Sequence, residues 1–541
     1  MKDISSTGSF INFYLNNYIY VDKTKYIRDL IKLERVFISR PRRFGKSLTL
    51  DTIATLFETG VEPYFKGTWI YDKWTEPTYP VLRLNFLNFD KNSLEKFNNK
   101  LNSKITEFAE LNQVTTYKEK EEAEDSIDHL LEQLRLEGRQ IVILIDEYDC
   151  QMTANINNET LYKQFQEKIK SFYANIKDKF AIKFLGITGV TRLKDVSIFS
   201  VGSDINDITN ASAYSQMIGF TRDEIKKYYI DYLKLASSYE NNCSVDDVTD
   251  TQLESMLDMM AQNYDGYCFD EDYEKKVFST WSVNKFFQTM IEKKKVQFGE
   301  YWYDNGGLPS ILVNYLKTHE LNIFEYLDKD KFLKVSSDDF KNPTALTTIN
   351  QNVLMCQTGY LTLRSDLNKT STVALGIPNG EIYKALNRLL ANNIFKGNTD
   401  ITDDYGRSLL EVGTVDDIIN LFNSALNSVS YDNYPIVSES SVQNMLKLYL
   451  LGAHQEVLSE VHEAKGRADL VVNTDNRRIV FEFKYAKNEA EAKSKLSEAV
   501  EQIKTRDYGN ILPKKNELIR IATVFNADPK VRAFTENQIV P

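Results

Sequence analysis

A short apolar run, Val36-Phe37-Ile38-Ser39, leads into Arg40-Pro41-Arg42-Arg43-Phe44-Gly45-Lys46-Ser47 and then into Leu50, Ile53, Ala54 and Phe57 at helical spacing. A buried strand that passes through a basic, glycine-containing loop straight into a helix admits few folds. The helix has to cross back over the sheet, so the strand needs parallel neighbours. Those neighbours are readable at Pro80–Phe86, Ile141–Ile145 and Ile182–Ile187, with Met217–Phe220 expected to close the set. Charged helical stretches, Ser93–Leu111 and Glu121–Leu136, lie between them. The first two hundred residues therefore predict a buried parallel sheet with helices on both faces.

A chain of 541 residues exceeds one hydrophobic core and calls for roughly three or four domains. The expected division is 1–220 for the sheet domain, 221–338 for a helical lid, 339–430 for a connector and 431–541 for a C-terminal α/β unit. In the connector, Gly359–Leu363 is expected to pair with Ser371–Leu375; with the helix before it this gives either a winged-helix-like unit or an irregular α+β segment. The last unit is expected to hold a helix at Val442–Leu451 and strands at Gln455–Val461, Asp469–Val472 and Ile479–Phe483. A helix at Glu489–Thr505 and a last strand at Leu518–Phe525 complete it. Sixty-six basic against 77 acidic residues, a net charge of −11, exclude a global positive field as the means of holding nucleic acid. Residues 431–541 carry 16 of each sign, so the whole excess of acid lies in front of them. Four scattered cysteines without a CxxC pair and four isolated histidines speak against a disulfide framework or a histidine metal site. No apolar leader or membrane-span pattern appears, and the expectation is a cytoplasmic protein without a membrane partner.

The loop at 40–47 carries the first chemistry. Phosphate binding needs backbone N–H groups at a helix N-terminus, with Lys46 to reach the terminal phosphates and the Ser47 hydroxyl to ligate Mg²⁺. Arg42, Arg43, Phe44 and Gly45 complete the loop, and the two arginines are expected to add charge against the phosphates. Arg40 stands where the first glycine of GxxxxGK[ST] would be, so the loop must bend by another route. About a hundred residues on, Ile141-Val142-Ile143-Leu144-Ile145-Asp146-Glu147 is an apolar strand ending in two acids. Asp146 suits the Mg²⁺ shell, and Glu147 suits orienting or deprotonating an attacking water. Thr188 ends the next strand as a candidate γ-phosphate sensor, and Arg192 follows as a candidate for stabilising transferred charge. No arginine occurs between Arg222 and Arg364, so beyond its first residues the lid has none to offer.

These segments, with Tyr20-Val21-Asp22-Lys23-Thr24, Asp146-Glu147-Tyr148-Asp149 and Thr188-Gly189-Val190, resemble the AAA-ATPase-like domain of many bacterial proteins. Tyr264-Asp265-Gly266-Tyr267, Gln357-Thr358-Gly359-Tyr360-Leu361 and Gly376-Ile377-Pro378-Asn379 extend the match over nearly the whole chain. The resemblance implies that the Arg-Pro-Arg-Arg-Phe loop is the usual form, that the domain assembles into oligomers, and that a PD-(D/E)XK nuclease domain follows.

The residues after 431 carry a second constellation on their own account. Gly466–Val472 and Ile479–Lys484 are strand-like and joined by a polar turn, which brings Asp469 near the second strand. Glu482 and Lys484, two apart, project from one face. Two carboxylates can bind a hard cation such as Mg²⁺, and Lys484 can position water or stabilise charge on phosphorus. An amphipathic hairpin with a surface Glu/Lys pair reads the same spacing without any chemistry. The pattern resembles the PD-(D/E)XK core. That resemblance implies an upstream acid, for which Glu439 is preferred over Glu460 and Glu463, and a role for Gln502 on the following helix.

The fold expected is α/β multidomain: a P-loop NTPase parallel sheet with helical lid and connector, plus a C-terminal restriction-endonuclease-like α/β domain. The function expected is ATP binding and hydrolysis coupled to a Mg²⁺-dependent nuclease, with nucleic acid as partner and DNA ahead of RNA. The alternative is an ATP-driven switch or nucleotide sensor whose nuclease-like domain only binds nucleic acid or a protein.

Overall fold

The computed structural model describes all residues except 177–178, 194–204, 305–309, 317–318, 320–322, 344, 396–404, 454, 464–465 and 510–513. The chain forms two compact units, one of residues 1–319 and 332–382, the other of 320–331 and 383–541.

The first unit is built on a parallel sheet of β1 (Arg35–Ser39), β2 (Val81–Asn85), β3 (Ile141–Asp146), β4 (Ile182–Gly189) and β5 (Asn206–Asp207), in the order β2-β3-β4-β1-β5. All six residues of β3 are buried, as a strand covered on both faces requires. The helix Lys46–Thr59 buries Leu50, Ile53, Ala54, Leu56 and Phe57, the stripe expected from its spacing. Ser93 caps the helix Leu94–Leu111 by accepting from the Lys96 N–H. Register sets the chemistry: Ser39 lies beside Gly189, Ile38 beside Thr188, and Asn85 beside Asp146. The carboxyl ends of β1, β3 and β4 are thus level and adjacent, where ligands of open α/β sheets bind.

One strand differs from the expectation. The sheet ends in Asn206–Asp207, and Met217–Phe220 contributes only a single bridge from Phe220 to Phe278. Two polar residues leave no periodic trace, whereas the apolar Met217 and Ile218 are buried without joining the sheet. Beyond them, helices Arg222–Tyr228, Ile230–Asn241, Asp250–Tyr264 and Thr280–Lys293 enclose a core of Tyr229, Leu233, Leu257, Met260, Phe286 and Phe287. A small antiparallel sheet follows, β6 (Leu333–Ser336), β7 (Thr362–Leu363) and β8 (Thr372–Gly376), in the order β6-β8-β7.

The second unit holds a sheet of β9 (Glu456–Glu463), β10 (Gly466–Asn473), β11 (Arg477–Ala486), β12 (Glu517–Asn526) and β13 (Ala533–Val540), in the order β13-β12-β11-β10-β9. β11 and β12 are parallel, and the helix Glu489–Arg506 makes the crossover between them. It buries Ala499, Val500 and Ile503 against Val471, Val480 and Ala522 of the sheet. β12 is not the last strand as expected. β13 pairs antiparallel beside it, and its sequence AFTENQIV is too polar to announce a strand.

Candidate functional sites

The first site lies at the carboxyl edge of the parallel sheet. Arg40 continues β1, its N–H donating to the Gly189 carbonyl at 3.2 Å. Its side chain is fully buried over Phe269, 4.2 Å from the ring centroid, and donates to the carbonyls of Ser39 (2.9 Å) and Thr209 (2.5 Å). Burial pulls its pKa down to about 9. An arginine can therefore stand where a glycine is usual, because its bulk goes into the protein and leaves the loop clear.

Gly45 caps the following helix at φ +105°, a left-handed conformation, and nothing lies within 4 Å of where a Cβ would be. That open space is what an anion at the helix N-terminus needs. Lys46 is buried and donates to the carbonyls of Arg40 (2.9 Å) and Pro41 (3.3 Å), with Glu147 3.6 Å away. Ser47 Oγ donates to Asp146 Oδ2 at 2.6 Å, while Thr188 Oγ1 donates to Asp146 Oδ1 at 2.5 Å. Ser47, Asp146 and Thr188 thus form one chain of hydrogen bonds beneath Lys46. Burial raises the Glu147 carboxyl, with Lys46 opposing it. A cavity of about 330 Å³ opens over the loop, lined among others by Arg42, Lys46, Ser47, Glu147 and Trp281.

Three expected site residues are also engaged in packing or pairing, although Arg43 and Phe44 do line the cavity. The Arg43 guanidinium donates to the carbonyls of Tyr301 (2.9 Å) and Trp302 (3.1 Å) and lies over the Trp281 ring, so it ties the loop to the helical segment. Phe44 is a core residue, edge-on to Tyr267 at 4.7 Å and to Phe269 at 5.4 Å. Arg192 pairs with Asp207, and its backbone exchanges hydrogen bonds with the Gln357 side chain; it is not among the residues lining the cavity.

The remaining motifs pack around the loop. A Cβ on Gly359 (φ +91°) would sit 2.9 Å from both the Pro41 Cβ and the Trp302 ring. Asn379 donates to the Asp265 carbonyl at 2.7 Å. Asp149 accepts from the N–H (2.7 Å) and hydroxyl (2.6 Å) of Thr191, strapping the β3 end to the β4 end.

The second site lies on β10, β11 and the helix Glu439–Gly452. Asp469 Oδ2 accepts from the Phe483 N–H at 2.9 Å. Lys484 Nζ donates to Glu482 Oε1 at 3.0 Å and to Glu439 Oε1 at 3.3 Å. Asp469, Glu482, Lys484 and Glu439 are therefore one cluster. Glu482 is 0% exposed, and its Oε2 has no hydrogen-bond partner among the described residues. Burial, then the neighbouring Asp469, push its pKa up to about 7, and burial also raises Asp469. Burial alone would lower Lys484, but Glu482 and Glu439 outweigh it and raise the ammonium. Gln443, one turn beyond Glu439 on the same helix face, donates to the Asp469 carbonyl. Sequence reading missed Gln443, whose only signal is its i+4 spacing from Glu439. Gln502 is half-buried on the crossover helix. The side chains of Glu460 and Glu463 lie outside the described residues.

No group of three His, Cys, Asp or Glu side chains among the described residues is gathered tightly enough to cage a metal. Two carboxylates with one orphaned, buried oxygen still suit Mg²⁺, which keeps waters and takes one or two protein acids.

Residues 5–199 match the AAA-ATPase-like family, described as a predicted AAA-ATPase, and residues 437–535 match the PD-(D/E)XK nuclease superfamily. The chain joins an AAA-ATPase-like domain to a PD-(D/E)XK nuclease domain. The loop site falls in the ATPase-like domain and the carboxylate–lysine cluster in the nuclease domain. Over 533 residues the chain is 26% identical to an uncharacterized protein in the vnfD 5′ region of Azotobacter chroococcum mcd 1, covering 95% of this chain and 94% of that one. Among solved structures it is similar to Cdc6p from Pyrobaculum aerophilum (10% identity, 68% of this chain and 93% of that one, TM-score 0.23). It is also similar to the Aeropyrum pernix Orc1 protein solved in complex with DNA (10% identity, 71% and 97%, TM-score 0.26). At such identities and scores neither likeness bears on activity. Among the described residues, no helix is long and apolar enough to cross a membrane.

Proposed function

We propose that the chain binds and hydrolyses ATP and cleaves nucleic-acid phosphodiesters with Mg²⁺, the first activity governing the second. The observation that carries the reading is the orphaned Glu482 Oε2, held beside Asp469 and under Lys484. A buried carboxylate oxygen without a donor costs free energy unless a cation completes it, and structures retain such costs mainly at functional sites. Asp469 and Glu482 would hold the metal, which when bound would supply charge neutralisation on the phosphate and a more acidic water. Lys484 has a raised pKa and stays an ammonium able to hold a phosphate oxygen. Gln443 keeps Asp469 in place through its backbone.

In the ATPase-like domain, Ser47 and Asp146 would hold Mg²⁺, and the N–H groups at Gly45–Ser47 would take the phosphates. Lys46 exchanges its carbonyl partners for phosphate oxygens. Glu147 is the group placed to orient water, since it lines the cavity and faces Lys46. Thr188 reports on the site through Asp146 rather than by touching the nucleotide first. Soluble, cytoplasmic action on DNA, and assembly into oligomers, belong to this reading.

The test is cleavage of labelled DNA and RNA by wild type, Asp469→Ala and Lys484→Ala, with Mg²⁺ and with or without ATP. Wild type should cut and both variants should lose cutting by about a hundredfold or more. Equal background from all three, with every substrate and metal, removes the nuclease. ATP hydrolysis by Lys46→Ala tests the other half separately.

A further inference from the structure

A second concavity, about 420 Å³, lies in the first unit on the far side of a wall shared with the nucleotide cavity: Phe13, Ile19 and Tyr20 line both. Its chemistry is unlike that of the loop site. Tyr14, Tyr18, Tyr64 and Tyr228 bring rings to it that remain partly open to solvent, Tyr14 being 46% exposed. Tyr14 and Tyr64 meet edge to face at 5.5 Å. Lys2, Lys66 and Lys227 are exposed at its rim, the Lys227 ammonium lying over the Tyr228 ring at 4.8 Å from its centroid. Among the described residues no carboxylate is within ion-pair distance of any of the three. Two acids share the lining. Asp22 is taken up internally, by the Thr24 N–H and hydroxyl on one oxygen and the Trp69 N–H on the other. Asp231 stays exposed.

Solvent-exposed tyrosine rings set among ammonium groups that have no carboxylate partner are what a strand of unpaired nucleotides requires: rings stack bases and lysines meet phosphates. An acidic peptide would use the lysines but leave the tyrosine rings idle. A duplex would meet the lysines but keep its bases stacked within itself. Residues 1–220 carry 29 basic and 30 acidic residues, so the three lysines around the groove face no strong opposing field. We propose that this tyrosine–lysine groove binds single-stranded nucleic acid, independently of the carboxylate–lysine cluster of the nuclease domain.

The experiment is fluorescence anisotropy of the full chain with labelled oligothymidylate and oligouridylate, in EDTA so that no metal-dependent cleavage interferes. Tyr14→Ala/Tyr64→Ala should weaken binding of both oligomers by about tenfold or more, since one stacked base is worth about 1–3 kcal/mol. Lys66→Gln/Lys227→Gln should lower the slope of log affinity against log salt by about 1.4. These four side chains are exposed or half-exposed, and circular dichroism confirms that each variant is folded. Added to Lys484→Ala, the tyrosine pair should still weaken binding by about tenfold or more, because the two sites act separately. Unchanged binding in both groove variants overturns the proposal. So does labelled polyglutamate binding as tightly as the oligomers and insensitive to the tyrosine pair, which makes the groove a peptide site. If Lys484→Ala alone abolishes binding, the grip belongs to the nuclease domain, and the groove fails while the proposed function stands.

Discussion

The two candidate sites treat their polar groups in opposite ways. At the loop site, partners come from within the chain: Lys46 rests on two carbonyls, and Ser47 and Thr188 share the two oxygens of Asp146. In the nuclease domain, Glu482 is as deeply buried but keeps one oxygen without a partner. The contrast teaches where each site stores its readiness. The loop is held in shape by aromatic packing and can rest with its hydrogen bonds closed. The carboxylate cluster rests under an electrostatic load that only a cation or a proton relieves. The loop arginines differ within one cavity that both line: Arg42 acts on Glu147, while Arg43 is held in the clamp to Tyr301 and Trp302.

The largest effect that bears on this contrast is the removal of the cation beside Glu482. Lys484→Met leaves two or three acids facing one another without an ammonium, and truncating one partner of a buried pair typically costs about 3–5 kcal/mol. Because Glu439 is partly exposed and Glu482 can take up a proton, the lower end applies. The double variant Lys484→Met/Glu482→Gln should recover more than half of the loss in thermal or denaturant unfolding of the nuclease domain. If the single variant is as stable as wild type, the cluster carries no load and the contrast collapses.

A smaller effect tests the clamp. Gly359→Ala forces a Cβ against Pro41 and Trp302 in a left-handed conformation, and a cost of about 1–3 kcal/mol follows from the two together. Since Pro41 offers one of the carbonyls under Lys46, ATP affinity should fall along with stability. Isothermal titration with ATP and a melting curve on one sample separate the two readings. A destabilised variant that binds ATP as before shows that the packing supports the fold and not the loop.

How much of this was visible in sequence depends on span. The loop at 40–47, the acids after β3 and the Asp469–Glu482–Lys484 arrangement lie within continuous segments whose strand and helix periods announce them. Register then adds Thr188 without further information, because adjacent parallel strands end level. What sequence did not disclose is closure over long distances. Nothing local says that Gly359 must approach Pro41, that Arg43 will be spent on Trp302, or that Gln443 will hold Asp469. Short or polar strands were lost for a different reason: Asn206–Asp207 has two residues, and β13 carries its hydrogen bonds without an apolar pattern. The departure at Arg40 was visible, but its explanation, a guanidinium swallowed over Phe269, needed the tertiary structure.

The least of the expected effects concerns a third buried acid, which extends the comparison to a group with no catalytic part. Glu381 is buried beside the clamp; Oε1 accepts from the Trp302 N–H at 2.8 Å and Oε2 from the Ser282 hydroxyl at 2.7 Å. Burial pushes its pKa up to about 8, the two hydrogen bonds opposing, so the carboxyl stays protonated in the folded protein at neutral pH. In the unfolded chain the same group ionises near 4.3. A folded pKa above the unfolded one gives a contribution fully present below about pH 4.3 and lost as pH rises through about 8. Glu381→Gln removes that titration and keeps an oxygen for Trp302, while Ser282, already within reach of Ser279 Oγ at 3.1 Å, can turn its hydroxyl to accept the new amide. The variant should lie nearest to wild type below about pH 4.3 and gain on it steadily as pH rises toward 8, read from urea unfolding across that range. Parallel curves for the two proteins at every pH would mean that Glu381 is ionised in place, with Arg43 as its counter-charge, and the clamp would then be an ion pair rather than a set of neutral hydrogen bonds.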